Sequence, residues 1–155
     1  MLAIGSSWTS KFKRGAMEFG CYCGSYRAEL TEPPSTVINC HCGFCRRLSG
    51  AAFSTWATVA VGVVNLLKSG PLRHYQASDN ATRTFCEICG THVYSVDTRL
   101  VGKIGIPAGI IVGPHMPTLS GHYFVNDKAT WHEIGDATPC FGGETGFQPL
   151  TGSQA

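Results

Sequence analysis

Seven of the eight cysteines in this 155-residue chain fall into three short clusters, and this grouping constrains the fold more than any other feature. The clusters are a C-x-C pair (Cys21, Cys23), a C-x-C-x-x-C triplet (Cys40, Cys42, Cys45) and a C-x-x-C pair followed by glycine (Cys86, Cys89). Together, the two pairs supply the four thiolates of a closed tetrahedral zinc site. The triplet supplies three thiolates and leaves one coordination position for a substrate. The pattern therefore predicts one structural metal ion and one reactive metal ion.

The alternative interpretation of eight cysteines is a disulfide framework of the kind found in small secreted domains. Cysteines separated by one residue bridge each other poorly, and the chain is long enough to bury a core without covalent cross-links. The first residues also lack the continuous apolar stretch of a secretory signal. We therefore favour metal binding, with the cysteines reduced and the protein cytoplasmic.

The overall composition is that of an ordinary globular protein, with 43% apolar residues and a mean hydropathy of +0.03. No apolar run approaches the roughly 20 residues needed to span a bilayer, so no membrane association is expected. The formal charge is +2 with every cysteine neutral. Seven thiolates and two Zn²⁺ ions would bring it to about −1. This charge does not suit a phosphate backbone, so nucleic acid is not an expected partner.

The chain is expected to comprise a flexible N-terminal extension (residues 1–16), a zinc-binding β domain (17–142) and a C-terminal tail (143–155). Short runs rich in β-branched and aromatic residues, separated by glycine and proline, predict a mainly β fold with little helix. One helical turn is predicted over Phe44–Leu48, ending at Gly50. The predicted strands are Tyr26–Leu30, Thr36–Cys40, Phe53–Val61, Pro71–Gln76, Thr82–Phe85, Thr91–Val96, Leu100–Ile106 and His122–Val125.

The string CHCGFCRRLSGA at residues 40–51 resembles the signature of the glutathione-dependent formaldehyde-activating enzyme family, which also includes centromere protein V. The resemblance extends from about Glu18 to Phe141. Its other elements are GCYCG at residues 20–24, FCEICGT at residues 85–91, and Trp131 before an acidic turn at Asp136.

This resemblance implies a β-tent fold, in which several small, coiled antiparallel sheets surround zinc. It assigns the two pairs to a structural ion and the triplet to a catalytic ion, so two zinc ions per chain are expected. The family activity is the addition of glutathione to formaldehyde, classed as a carbon–sulfur lyase reaction, which gives S-hydroxymethylglutathione. The expected partners are a small-molecule thiol and an aldehyde or related electrophile, and a homodimer is compatible with an open metal cleft. The alternative function is that of a non-enzymatic, zinc-stabilised binding protein, as the likeness to centromere protein V allows.

Other residues near these motifs have more than one interpretation. His41 could be a fourth ligand, a proton shuttle or a loop residue, and Arg46 and Arg47 could contact glutathione carboxylates or simply face solvent. Cys140 could be a free thiol or a late fourth ligand that closes the triplet site. Trp131 is expected in the core. The other five histidines show no metal-ligand spacing and are expected on the surface or hydrogen-bonded in the core.

Overall fold

The computed structural model describes residues 16–151, so nearly all of the predicted N-terminal extension lies outside the described residues. Within this range the protein is mainly β, with several small sheets and a single α-helix, which confirms the predicted fold class. The strands are β1 (Met17–Gly20), β2 (Arg27–Leu30), β3 (Thr36–Cys40), β4 (Ser54–Ala60), β5 (Val64–Lys68), β6 (Leu72–Gln76), β7 (Ala81–Cys86), β8 (His92–Asp97), β9 (Lys103–Pro107), β10 (Ile111–Val112), β11 (Leu119–Tyr123), β12 (Phe141–Gly142) and β13 (Gln148–Pro149). Helix α1 spans Gly43–Ser49, and single 3₁₀ turns occupy Val61–Val63, Ala108–Ile110 and Val125–Asp127.

The described chain divides into two compact units. The first unit contains residues up to 34 together with 58–116, and the second contains residues 35–57 together with those from 117 onward. The C-x-C and C-x-x-C pairs therefore belong to the first unit, and the triplet belongs to the second. No helix within residues 16–151 is long and apolar enough to cross a membrane.

The first unit is built from antiparallel strands around an apolar core. One set has the order β10-β1-β2-β5, and a second set, β9-β8-β7-β6, is made of sequential hairpins. The buried residues of this core include Phe19, Tyr26, Val93 and Ile106, and the rings of Phe19 and Tyr26 lie 6.0 Å apart. Cys21 and Cys86 are fully buried members of the same core. The first pair of thiols and the hairpin pair are thus anchored in one hydrophobic cluster.

The second unit contains β3, α1 and β11. Here the pairing differs from the predicted antiparallel arrangement, because β11 runs parallel to β3 and aligns His122 with Asn39. Helix α1 begins after Cys42 and ends at Gly50, whose left-handed backbone (φ 65°) terminates the helix. The predicted helical turn and its end are therefore confirmed.

The segment predicted as a C-terminal tail contributes to the sheet structure of the second unit. Strand β13 pairs with β12 in an antiparallel hairpin, with Phe141 opposite Pro149. The N–H of Leu150 also donates to the carbonyl of Cys140 over 2.9 Å. These hydrogen bonds fix residues up to 150 against the second unit.

Candidate metal centres

The first candidate centre lies where the chain leaves β1 and where β7 turns into β8. The Sγ atoms of Cys21, Cys23, Cys86 and Cys89 all lie within 4.8 Å of one another. Gly90 has a φ of 72°, and its N–H donates to the Cys86 carbonyl over 2.8 Å, closing the knuckle turn. A residue with a Cβ atom would be strained in this conformation, which accounts for the glycine.

The sulfur separations distinguish a metal site from disulfides. The Sγ atom of Cys23 lies 3.4 Å from that of Cys21 and 3.7 Å from that of Cys86. A disulfide would need about 2.05 Å, whereas four sulfurs at about 2.3 Å from a tetrahedral zinc lie about 3.8 Å apart. All eight cysteines fall within the described residues, and all are free thiols. This group could therefore hold a metal ion, and its donor type and spacing fit zinc.

Ser25 contacts three of these four sulfurs, a role that the sequence analysis missed. Its Oγ atom lies 3.3 Å from Cys21 Sγ, 3.2 Å from Cys23 Sγ and 3.3 Å from Cys86 Sγ. Burial raises the pKa of the Cys21 thiol, but hydrogen bonds from Ser25 and from the Tyr26 N–H outweigh burial and lower it. Such contacts orient the sulfurs and favour the thiolate that a metal requires.

The second candidate centre is the triplet. Cys40 ends β3, Cys42 caps the N-terminus of α1, and Cys45 lies in the first turn of that helix. Their three Sγ atoms lie within 4.8 Å of one another, with 3.5 Å between Cys40 and Cys42. Among the described His, Cys, Asp and Glu side chains, none adds a fourth ligand atom to this group, so neither His41 nor Cys140 closes it. The Cys140 thiol instead faces the Thr138 carbonyl at 3.8 Å.

The electrostatics of the triplet favour a negative sulfur at Cys42. The Cys40 and Cys45 thiols donate to Cys42 Sγ and, with a backbone N–H from Cys45 at 3.3 Å, lower the pKa of Cys42 to about 2. The same contact raises the pKa of Cys40, because its proton is held between the two sulfurs. A thiolate such as that of Cys42 is the kind of donor that a soft divalent metal prefers.

Hydrogen bonds to the backbone hold the triplet loop in place. The Cys45 carbonyl accepts hydrogen bonds from the hydroxyls of Ser49 at 2.9 Å and Ser54 at 3.1 Å. Arg46 Nε donates to the His41 carbonyl at 3.1 Å, so part of this guanidinium serves the loop itself. The exposed Arg47 side chain uses one donor on the Gly43 carbonyl at 3.2 Å. Most of the Arg47 donors therefore face solvent.

A buried histidine cluster adjoins the triplet in sequence. His41 Nε2 lies 2.9 Å from His122 Nδ1, and His122 Nε2 lies 3.2 Å from Asp136 Oδ2. The ring of His132 stacks on that of His41 at 5.7 Å, and the Phe53 ring lies 5.1 Å from it. Burial lowers the pKa of His41 to about 4, with a further contribution from the neighbouring His122 and other positive groups. At neutral pH this imidazole is uncharged.

Sequence reasoning missed this cluster. His122 and His132 were expected to be ordinary surface or core histidines, and only the parallel pairing of β11 with β3 brings His122 to His41. Trp131, expected in the core, is 73% exposed, and that expectation was wrong. The acidic turn at Asp136 was part of the family resemblance, but no spacing rule connects it with His41, 95 positions away.

The fold and the two thiol groups define a small β protein with one four-cysteine and one three-cysteine group, each of which could hold a metal ion. The profile of the glutathione-dependent formaldehyde-activating enzyme family matches residues 16–127. The chain therefore belongs to this family, which confirms the resemblance noted in the sequence.

Two further comparisons found similar proteins. A Schizosaccharomyces pombe protein described as an uncharacterized lyase is 23% identical over 124 residues, which cover 80% of this chain and 89% of the yeast protein. The crystal structure of a Rhodobacter sphaeroides protein, a structural genomics target, is 24% identical with a TM-score of 0.51. That match covers 63% of this chain and 91% of the bacterial one, and it shows a shared fold.

Proposed function

We propose that this protein is a zinc-dependent lyase that adds a thiol, glutathione, to formaldehyde or a related small electrophile. The observation on which this proposal rests is the contrast between the two thiol groups: four sulfurs converge in one, and only three in the other. Membership of the formaldehyde-activating family and the relative described as a lyase support the reaction class. In this addition a new C–S bond forms, and the thiol proton passes to the aldehyde oxygen to give an S-hydroxymethyl adduct.

The four-cysteine group is proposed to hold a structural zinc ion. Its ligands come from two places in the chain, since Cys23 and Cys86 are 63 positions apart. Closing such a loop is entropically costly to the unfolded chain, so a metal bound only in the folded state contributes directly to stability. The burial of Cys21 and Cys86 in the apolar core shields two of the four ligands from water.

The triplet Cys40, Cys42 and Cys45 is proposed to hold the catalytic zinc ion. When bound there, zinc supplies a fourth coordination position and lowers the pKa of a thiol that occupies it. The residues of the chain set the frame for this chemistry. Cys42 is held by the first turn of α1, and the carbonyl of Cys45 is held by two serine hydroxyls. A site fixed in this way keeps its reactive position pre-organised.

The carboxylates of glutathione are proposed to bind the exposed donors of Arg47. A guanidinium has five N–H donors, and only one of those on Arg47 is used within the helix. A bidentate pair with a carboxylate would anchor the substrate one turn from Cys42. Because this chemistry needs thiolates, we also place the protein in a reducing compartment such as the cytoplasm.

The proposal is tested by metal content and by the reaction itself. Elemental analysis of the purified protein should give two zinc ions per chain, and Cys42→Ser should give one. NMR exchange spectroscopy on formaldehyde with glutathione should show faster exchange with the wild-type protein than without it. The matched control is Cys140→Ser, which removes a buried thiol of the same unit that lies outside the triplet.

The possible results separate the two functions considered. Acceleration that is lost in Cys42→Ser and retained in Cys140→Ser would support the enzyme. Two zinc ions without any acceleration would reject this reaction and favour the zinc-stabilised binding protein. A single zinc ion in the wild-type protein would reject the metal assignment itself.

A further inference from the structure

A continuous hydrogen-bonded chain leads from His41 to the surface of the second unit. The distances are 2.9 Å from His41 Nε2 to His122 Nδ1 and 3.2 Å from His122 Nε2 to Asp136 Oδ2. His41 is fully buried and the His122 side chain is 3% exposed, whereas the Asp136 side chain is 51% exposed. The N–H of Thr138 donates to the other carboxylate oxygen, Oδ1, at 2.8 Å. The carboxylate is thus held at a defined orientation at one end of the chain.

The direction of each hydrogen bond follows from the chemistry of the groups. An ionised carboxylate only accepts, so His122 must donate its Nε2–H to Asp136. In the neutral form of His122 the imidazole has one donor and one acceptor, so its Nδ1 accepts. His41 must then donate its Nε2–H, because its partner has no proton at that position. This assignment leaves the lone pair of His41 on Nδ1.

The Nδ1 atom of His41 is buried and has no hydrogen-bond partner within residues 16–151. A buried acceptor left without a donor is unfavourable, and protein structures contain few of them. The imidazole itself is fixed on its other sides by the rings of Phe53 and His132. His41 stands between Cys40 and Cys42 in the chain, so this acceptor is carried by a residue of the triplet loop.

We propose that Asp136 and His122 are positioning residues that hold His41 in the tautomer with its proton on Nε2, so that Nδ1 is a hydrogen-bond acceptor for the protic group of a substrate at the triplet site. The catalytic part of this inference rests on the proposed function. The protic group is the thiol S–H before the addition or the hydroxymethyl O–H after it. An acceptor of fixed direction favours one orientation of this group over the others.

The tautomers are measured directly by ¹⁵N NMR on the zinc-loaded protein labelled at histidine. In the wild type, His41 and His122 should both show the proton on Nε2. In Asp136→Asn, the N–H of Thr138 should retain the amide oxygen and so turn the amide nitrogen toward His122. That nitrogen would face His122 Nε2 at the 3.2 Å position as a donor, while the amide oxygen would stay at the 3.3 Å position as an acceptor, so the Nδ1–H forms of both histidines should become populated. The acceptor at His41 Nδ1 would be lost in that fraction of the molecules.

A control and a kinetic measurement complete the test. Glu133→Gln removes an exposed negative charge three residues away and should leave both tautomers and the turnover unchanged. Asp136→Asn should lower kcat for the thiol–formaldehyde addition by about tenfold or more, with zinc content unchanged. A wild-type protein with the Nδ1–H tautomer at either histidine would overturn the inference, as would unchanged tautomers in Asp136→Asn. Reversed tautomers with full kcat would overturn the catalytic role.

These results are distinguishable from failure of the proposed function. If the wild-type protein did not accelerate the addition, the proposed reaction would be rejected, while the tautomer measurement would still decide whether Asp136 and His122 position His41. If the reaction were accelerated and the tautomers did not respond, the positioning role alone would fail.

Discussion

Gly70 packs directly against Ser25: a Cβ atom at residue 70 would lie 2.6 Å from the Ser25 carbonyl oxygen and 2.7 Å from its Oγ. The same hydroxyl contacts three sulfurs of the four-cysteine group. A side chain at residue 70 must therefore displace the loop that carries the C-x-C ligands. Close packing of this glycine and the geometry of the four-cysteine group are consequently linked.

The first prediction concerns this contact. Gly70→Ala should destabilise the protein by about 1–3 kcal/mol, because the Ser25 backbone cannot easily move away. It should also weaken metal retention, measured as faster zinc loss to a chelator, with stability taken from urea unfolding. The matched control is Gly109→Ala, since a Cβ atom there meets nothing within 4 Å. Equal stability of the two variants would show that the loop tolerates displacement.

The second prediction separates the roles of the two thiol groups. Cys86→Ser should unfold or aggregate, because Cys86 is fully buried and the metal proposed at its group would join β1 to the β7–β8 hairpin. Cys42→Ser should remain folded, because Cys42 lies on a partly exposed helix cap. Circular dichroism and size-exclusion chromatography measure both outcomes. If both variants unfolded to the same extent, the division into structural and catalytic ions would be wrong.

The third prediction compares a buried ion pair with an exposed one. Glu18 is fully buried in β1 and pairs with Arg27 of β2, so Arg27→Met leaves a carboxylate in the core without this guanidinium. We expect a loss of about 3 kcal/mol or more in the free energy of unfolding. The corresponding change at Arg73, whose pair with Glu87 has side chains 64% and 44% exposed, should cost less than about 1 kcal/mol.

The free energies of unfolding of the Arg27 and Arg73 variants are measured by denaturant unfolding at saturating zinc. A cost at Arg27 as small as that at Arg73 would mean that Glu18 is compensated by other groups around it.

The fourth prediction is a pH dependence caused by His92. Ser95 Oγ accepts from Arg83 at 2.7 Å and so donates to His92 Nε2 at 2.9 Å, which requires a neutral imidazole. Burial, followed by the Arg83 charge, lowers the pKa of His92 to about 4 from its ordinary 6.5. Between pH 6.5 and pH 4 the unfolded chain binds this proton more tightly than the folded protein does. The contribution of neutral His92 to the free energy of unfolding is therefore fully present above pH 6.5 and is lost as the pH falls toward 4.

The expected loss over this range is about 2–3 kcal/mol. In His92→Gln this part of the pH dependence should disappear, while the contribution of the cysteines is the same in both proteins. Urea unfolding at pH 7, 6 and 5 measures the difference between the two slopes. Parallel curves would mean that His92 titrates equally in the folded and unfolded states.

Several elements could be predicted because their causes are local. The C-x-x-C-G knuckle of residues 86–90 needs only a tight turn with glycine in a left-handed conformation. The predicted strand Thr36–Cys40 agrees with β3 residue for residue. By contrast, β10 and β12 contain two residues each, too few for a periodic pattern, and they exist only because a neighbouring strand pairs with them.

The amino-acid sequence by itself determined which thiols lie together within each cluster, because ligands two or three positions apart converge through the backbone turn alone. It also determined the family and the mainly β composition. Only the tertiary structure decided what surrounds these thiols. His122 meets His41 through a parallel strand pair, and Gly70 meets Ser25 across 45 positions of the chain. Contacts of this kind depend on strand register and long-range packing, for which a single sequence has no repeating signal.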